Sequence, residues 1–265
     1  MAEPLSPGTR TGTQSIERTI RLIRAAAERG RTGWQLADLA RHTELDKSTV
    51  HRILGCLVRE RVVSQRQDGR YLPGPLMFEL ALTMRPYHAF QDLAEQRLSS
   101  FARRAQATAA FYLRSGDETV CAASMGGAAT QQYMAMSLGS RRPLLASVAG
   151  IAILMALPDA EAAAVVARNL DLLGRQRDAR TPSYQSMYRA SREAGVALHE
   201  SHHMVAFNGY ARAIVDAAGR PFAALSLSGS QEELPTTRRQ AIAALLEEEA
   251  AALSKEAAAM LGEVD

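Results

Sequence analysis

The stretch Leu45-Asp46-Lys47-Ser48-Thr49-Val50-His51-Arg52-Ile53-Leu54-Gly55-Cys56-Leu57-Val58 decides how the chain is read. Val50, Ile53, Leu54, Leu57 and Val58 recur at the i, i+3, i+4, i+7, i+8 spacing of an amphipathic helix. Asp46 stands where a helix cap belongs, its carboxylate able to accept N–H groups that a first turn leaves unpaired. The opposite face carries Ser48, Arg52, Gly55 and Arg59, flanked by Thr49 and His51, with no carboxylate before Glu60. Taken alone, this is also what an ordinary solvated helix face looks like. A nucleic-acid duplex would nevertheless meet it without like-charge repulsion.

The flanking sequence sharpens the reading. Upstream, residues Trp34 to Arg41 have helical spacing with Leu36, Leu39 and Ala40 inward. His42-Thr43-Glu44 then forms a short turn, giving helix-turn-helix spacing. Downstream, Val62 to Arg66 alternates like a strand, Gln67-Asp68-Gly69-Arg70 supplies an Asp-Gly hairpin turn, and Arg70-Tyr71-Leu72 returns. Helix, turn, helix and hairpin make a winged helix-turn-helix. "LADLA", "LDKSTVHRIL" and "DGRYLPGPLMFELA" resemble the IclR family of bacterial transcription regulators. The chain departs from that pattern where Glu44 and Arg61 stand at positions usually held by glycine; Arg61 is thereby an added candidate for phosphate contact.

The charge distribution agrees. Net charge is +3, but residues 10–72 hold 13 Lys/Arg against 7 Asp/Glu, an excess of +6, while residues 73–265 hold 18 against 20. The basic excess lies where phosphates would need it. The chain of 265 residues with 47% apolar content is long enough for two packed domains. Cys56 and Cys121 fall in different predicted domains, so no disulfide is expected and a reducing, cytoplasmic setting fits. No signal peptide is visible. The longest apolar run, Leu144 to Leu157, is interrupted by Ser147 and is shorter than the roughly 20 residues of a membrane helix.

The expected architecture is α+β. Residues 1–13 read as a disordered tail, 14–75 as the winged helix-turn-helix, 76–107 as linker helices, and 108–265 as the second domain. A helix from Ser15 has Ile16, Ile20, Ile23 and Ala27 as its inward stripe, and Leu76 to Met84 reads as a helix ended by Pro86. A further helix from about Phe90 to Ala107 has Leu93, Leu98, Phe101 and Ala105 on one face. Short strands are expected at 110–114, 119–125 and 131–136, then a loop leading into a small-residue helix ending near Leu157. Helices follow at 159–169 and 183–194, then a hairpin of strands 210–216 and 221–228, and a last helix opened by Pro235-Thr236.

The family resemblance extends over this second part, notably "GRPFAALSLSGS". It implies a GAF-like antiparallel sheet flanked by helices, which senses a small molecule, and joins protomers through the linker. Ile151 stands where the family usually has a lysine after Gly150, so a polar anchor at that helix start is missing. The resemblance assigns an effector pocket to Met134, Val148, Ala149, His199, Phe207, Gly209, Ser226 and Ser228. Ser226 and Ser228 are two apart on one strand, so both hydroxyls belong to one face, opposite Leu225 and Leu227. Hydroxyls on such a face suit a carboxylate.

The function implied is therefore a sequence-specific DNA-binding regulator, a homodimer or homotetramer on a pseudo-palindromic double-stranded operator, modulated by a small organic acid. Its DNA contacts would be Gln35, Lys47, Ser48, Thr49, His51, Arg52 and Arg59, with Arg66 and Arg70 on the wing. Two alternatives remain open. His199, His202 and His203 could serve a metal-responsive regulator, although no cysteine is near and Glu200 is the nearest acid, so no metal or cofactor is expected. The winged helix could instead bind protein within an enzyme or scaffold. The basic excess argues against that, and no Gly-x-Ser-x-Gly, phosphate-loop or His-Glu-x-x-His motif is present.

Overall fold

A computed structural model describes residues 13–30, 32–126, 138–200, 207–262 and 264. The expected tail up to residue 12, the strand at 131–136, Met134, His202 and His203 lie outside the described residues. The chain divides into two compact units, Met1–Thr83 and Met84–Asp265. The segment expected as a linker over 76–107 is thus shared, one helix falling in each unit.

The first unit runs α1 (Gln14–Glu28), α2 (Leu36–His42), α3 (Lys47–Arg59), β1 (Val63–Gln65), β2 (Tyr71–Pro73) and α4 (Pro75–Ala81). Its core gathers Leu22, Ala25 and Ala26 of α1, Leu39 and Ala40 of α2, and Val50, Leu54 and Leu57 of α3 around Trp34, Val63 and Tyr71. The expected stripe of α1 is corrected here: Ile16 and Ile20 are exposed, because the packed face is the one centred on Leu22. Trp34 is not helical either. It forms a bridge with Tyr71 of the wing, N–H to O at 3.0 Å and the reverse at 2.9 Å, and its indole donates to the Ala25 carbonyl at 2.7 Å. The wing loop has three residues rather than two. Arg66 N–H donates to Arg70 O, Gly69 N–H donates to Arg66 O, and Gly69 takes the left-handed φ of 78° that closes such a loop.

Pro86 does not end a helix but lies in the first turn of α5 (Arg85–Ala105), where its missing N–H costs no bond. The buried stripe of α5 is Phe90, Ala94, Leu98, Phe101, Ala102 and Ala105; Leu93 is only partly covered. The second unit continues with β3 (Thr108–Ser115), β4 (Glu118–Met125), β5 (Arg141–Pro143), a 3-10 turn (Leu144–Ala146) and α6 (Val148–Ala156). Then come α7 (Asp159–Arg175), α8 (Thr181–Ala194), β6 (Ala197–Glu200), β7 (Phe207–Val215), β8 (Pro221–Ser230) and α9 (Arg239–Met260). Two expectations change: Arg141–Pro143 is an edge strand on β4 rather than loop, and α7 runs on to Arg175, with Leu173 buried in its last turn.

The sheet is antiparallel throughout, in the order β5-β4-β3-β8-β7-β6. Alternation along its strands makes two cores. Ala109, Phe111, Leu225, Leu227, Tyr210 and Ile214 pack with α5 and α9 on one face. Ala110, Tyr112, Ala197, Ala211 and Ala224 pack with α6, α7 and α8 on the other. Small residues dominate the second face, so α6 lies close to it. Across the first face, the buried Glu249 of α9 accepts from Arg97 at 2.9 Å and Arg104 at 3.3 Å, tying α9 to α5.

Candidate nucleic-acid interface and effector pocket

In the first unit, Asp46 caps α3 by accepting the Thr49 N–H at 2.8 Å. That fixes the helix start and turns Lys47, Ser48, His51, Arg52 and Arg59 outward, all exposed, with Thr49 partly covered. Among these outward side chains, the Ser48 hydroxyl donates to Asp46 at 2.5 Å. The turn before α3 holds Glu44 at φ 54°, and Arg61, just after α3, sits at φ 61°. Both take the left-handed geometry that the glycines of the family pattern would supply. The Arg61 guanidinium is paired with Glu79 of α4 at 2.6 Å, so the added phosphate contact expected of it is occupied within the unit.

The wing arginines flank one carboxylate. Arg66 and Arg70 stand 4.0 and 3.7 Å from Asp68, and Arg70 also donates to the Gly33 carbonyl at 3.3 Å. Gln35 is exposed and reaches the Asp68 carbonyl at 3.4 Å. Helical spacing from Trp34 put Gln35 inside the helix; it is the residue before α2, between the wing tip and the helix-turn-helix. Gln35, Asp68, Arg70 and Gly33 are thus tied together at the wing.

In the second unit, the described residues of the expected pocket lie on β6, β7, β8 and the first turn of α6. Ser147 caps this helix, its hydroxyl accepting the Gly150 N–H at 3.0 Å. Asn169 of α7 accepts the Leu145 N–H at 2.9 Å and donates to the Asp117 carbonyl at 3.2 Å. Gly150 must be glycine, because a Cβ there would stand 2.1 Å from the Leu144 carbonyl oxygen. The polar anchor thought missing at Ile151 is therefore supplied by Ser147 and Asn169, and Ile151 is fully buried in the core. Val148 lies against Gly209 of β7, and the His199 ring lies 6.0 Å from that of Phe207.

Ser226 and Ser228 sit on the α6-facing side of β8. Ser226 pairs with Ala110 and Ala211, and Ser228 with Thr108 and Gly209. Burial pushes the Tyr112 hydroxyl well above its ordinary range, and its hydrogen bond to Ser226 only partly offsets this. Burial likewise lowers the pKa of His199, favouring the neutral ring. Thr108 and Tyr112 escape the sequence reading: its strand begins at 110, and no charge or motif marks either residue. Their signal is the two-residue alternation through Ala110. Among the described residues, no three His, Cys, Asp or Glu come together as a ligand set. Both cysteines are free, Cys56 exposed and Cys121 buried.

A winged helix-turn-helix joined to an antiparallel sheet with helices on both faces defines a class, the two-domain DNA-binding transcriptional regulators. Within it, the IclR helix-turn-helix domain matches residues 15–67 and the bacterial transcriptional regulator IclR C-terminal domain matches residues 88–255. The chain belongs to the IclR family. It is 26% identical over 243 residues to the HTH-type transcriptional repressor AllR of Escherichia coli (strain K12), covering 89% of this chain and 86% of the relative. The AllR of Salmonella typhi is 27% identical over 238 residues, 88% of this chain and 85% of its own. In fold, it is similar to an IclR family transcriptional regulator from Brucella abortus, with TM-score 0.70 and 21% identity over 96% of both chains. An IclR homolog from Microbacterium hydrocarbonoxydans complexed with 4-hydroxybenzoate gives TM-score 0.64 and 18% identity, over 93% of this chain and all, 100%, of that one. The relatives are named transcriptional repressors, and this chain is a regulator of transcription. Among the described residues, no helix is long and apolar enough to cross a membrane.

Proposed function

We propose that the protein is a cytoplasmic homodimer or homotetramer that binds a pseudo-palindromic operator and changes its affinity when a small organic acid enters the second unit. One observation carries the DNA reading: the outward face of α3 offers Lys47, His51, Arg52 and Arg59 to solvent, while the nearest carboxylate, Asp46, is committed to the cap. Such a face enters a major groove, with Lys47 and Thr49 at its N-terminal end and the wing arginines on the backbone beside it. Arg70 is also tied to the Gly33 carbonyl.

The effector reading is supported by the Ser226–Ser228 face, by the start of α6 beside Gly209, and by the acid held in the Microbacterium hydrocarbonoxydans relative, which is an aromatic carboxylate. Ligand in that pocket would couple to operator affinity by favouring one placement of the DNA-binding heads. The test is fluorescence anisotropy with duplexes from the DNA flanking the coding region, across a salt series. Binding to one fragment, with affinity falling linearly on a log–log salt plot, is the expected outcome. Equal affinity for every fragment would reject the reading.

A further inference from the structure

We infer that the second unit carries a further ligand site, a cleft between β5 and the α7–α8 turn that takes a small phosphate monoester on Arg142 and Arg180. None of the residues assigned to the effector pocket lines this cleft, so it stands apart from the organic-acid reading.

The cleft has a volume of about 350 Å³, enough for a small ligand. Ser140 and Arg142 line it from the side of the edge strand β5, and Gln176, Asp178, Arg180 and Tyr184 from the side of the α7–α8 turn. Strand pairing decides which β5 arginine looks into it. Arg142 stands opposite Thr119 of β4, and Arg141 opposite Val120. The Thr119 hydroxyl lies 3.4 Å from that of Ser147 at the start of α6, so Arg142 shares the sheet face that α6, α7 and α8 cover. Arg141 turns to the other face, where it donates to Glu118 at 2.9 Å and to Ser115 at 2.7 Å. Its charge is answered away from the cleft.

Arg180 is preset for a ligand. The Asp178 N–H donates to the Leu173 carbonyl at 3.0 Å, and the Thr181 N–H donates to the Asp178 carbonyl at 3.1 Å, which fixes the turn. The Asp178 carboxylate then accepts Arg180 Nε at 3.0 Å and Nη2 at 2.8 Å, and the guanidinium carbon stands 5.6 Å from the centre of the Tyr184 ring. Held in this way, the guanidinium has little freedom left to lose on binding. Asp178 engages its Nε and Nη2, so the Nη1 edge is the one a ligand would meet. Burial raises the pKa of the Tyr184 hydroxyl; the Arg180 charge, and more weakly that of Arg142, opposes the rise, so both cations act on this wall of the cleft.

The donor inventory names the ligand class. Arg142, Arg180, the Ser140 hydroxyl and the Gln176 amide can all donate, while the Asp178 carboxylate is already engaged by Arg180. Two guanidiniums, of Arg142 and Arg180, against one carboxylate leave the lining with a positive excess. A ligand here is therefore anionic and rich in acceptors. A carboxylate presents two oxygens in one plane. A phosphate monoester presents three in a tetrahedral arrangement, so it can accept from both walls at once, and the arginine fork matches its geometry. Buried Leu173 and Ala146 supply an apolar lining for an organic group of a few carbons.

The experiment is calorimetric titration of the full-length protein in phosphate-free buffer at fixed ionic strength. The probes are glycerol 3-phosphate, glucose 6-phosphate and inorganic phosphate, with glycerol, glucose and acetate beside them. We expect at least one phosphate ester to bind at one site per chain, more tightly than its parent alcohol or acetate. Arg142→Gln and Arg180→Gln should each weaken it by about tenfold or more, and Arg180→Lys, which keeps the charge without the fork, by less. Arg177→Gln, beside the cleft but not lining it, and Arg52→Ala in the DNA-binding unit should each change it by less than about twofold. The Arg180 side chain is 65% exposed, so Arg180→Gln should melt at the wild-type temperature; if it melts lower, Arg142→Gln decides. No ester binding, or equal binding in both glutamine variants, overturns the site. Loss of binding in Arg52→Ala overturns it as well, by placing the anion on the DNA-binding face. Acetate binding as tightly as the esters, and weakened by the same variants, overturns the phosphate class. Operator binding is measured separately, so each of these failures leaves the DNA reading intact.

Discussion

Ser48 donates its hydroxyl hydrogen to the Asp46 carboxylate at 2.5 Å, and the same carboxylate oxygen accepts the Thr49 N–H at 2.8 Å. The Ser48 proton is therefore spent inside the protein, and the oxygen that remains is an acceptor, which a phosphate does not seek. We expect Ser48→Ala to change operator affinity by no more than a few-fold. Arg52→Ala, which removes an exposed guanidinium, should cost about 1–3 kcal/mol if it reads a base. Anisotropy titrations of both variants at one salt concentration check the order; a larger loss for Ser48→Ala would overturn it.

The same cap has a pH signature. The Ser48 hydroxyl, followed by the Thr49 N–H, holds the Asp46 carboxyl well below the usual carboxylate range. A carboxylate lowered on folding stabilises above its ordinary pKa, and that stabilisation is lost only as pH falls through the lowered value. The cap should thus persist unchanged from neutral pH down through pH of about 4. Asp46→Asn, which cannot ionise, should remove any acid dependence of α3 fraying, read by circular dichroism across a pH series beside wild type.

Glu44 and Arg61 both occupy the left-handed region, at φ 54° and 61°. For a residue with a Cβ this costs roughly 1–2 kcal/mol, partly offset because glycine loses more chain entropy on folding. Glu44 is exposed, so Glu44→Gly should stabilise the first unit by about 0.5–1 kcal/mol. Arg61→Gly relieves the same strain but breaks the ion pair to Glu79, so its gain should be smaller. Urea unfolding curves of the two variants give the comparison; a destabilised Glu44→Gly would show that the side chain contributes more than its backbone strain costs.

The winged helix is legible in the sequence because each part has a local signal: the capped period of α3, the Asp-Gly loop, and the period-two strands of the wing. The inward face of α1 is not. Ile16 and Ile20 are strongly apolar and are exposed, while Ala25 and Ala26 are buried, because proximity to Trp34 and α2 decides the packing. In the second unit, the period-two alternation of β8 is enough by itself to put Ser226 and Ser228 on one face. Arg141–Pro143 gives no strand signal, since three residues with two arginines and a proline become a strand only by pairing with β4. The two helix anchors at α6 are hidden for a related reason: Asn169 is far along the chain and reaches the turn only through tertiary contact.

Asp216 closes the β7–β8 hairpin. Its side chain is fully buried and accepts N–H groups of Ala218, Arg220 and Val264, with the Arg220 guanidinium at 3.2 Å. Burial pushes its carboxyl up, but the Val264, Arg220 and Ala218 N–H groups and the Arg220 charge outweigh this and hold it below the usual range. Stability from Asp216 is accordingly present above the ordinary carboxylate pKa and lost as pH falls through the lowered one. Asp216→Ala, which leaves these donors unpaired, should cost about 2–3 kcal/mol at neutral pH. The difference from wild type should shrink in acid. Chemical denaturation at pH 7 and near pH 3 tests it: a difference that grows in acid contradicts the sign.

Ser226 and Ser228 share a face but not a situation. Ser226 is buried, paired across the sheet with Ala110 and Ala211, and close enough to the Tyr112 hydroxyl to lower its pKa. Ser228 is less covered and is paired with Gly209, which has no side chain. An effector carboxylate at this face should therefore draw most of its serine contribution from Ser228. A hydrogen bond to a charged group contributes about 1.5–3 kcal/mol, so Ser228→Ala should weaken acid binding by roughly tenfold to a hundredfold. Ser226→Ala should weaken it less and cost stability instead, because the buried Tyr112 hydroxyl loses a polar neighbour. Neither serine lies in the DNA-binding unit, so operator affinity without effector should remain at the wild-type value. The measurement is calorimetric titration of each single variant and the double variant with an acid that binds wild type, alongside operator binding with and without that acid. A double variant that responds to the acid as wild type does would make both serines structural and remove this face from the pocket.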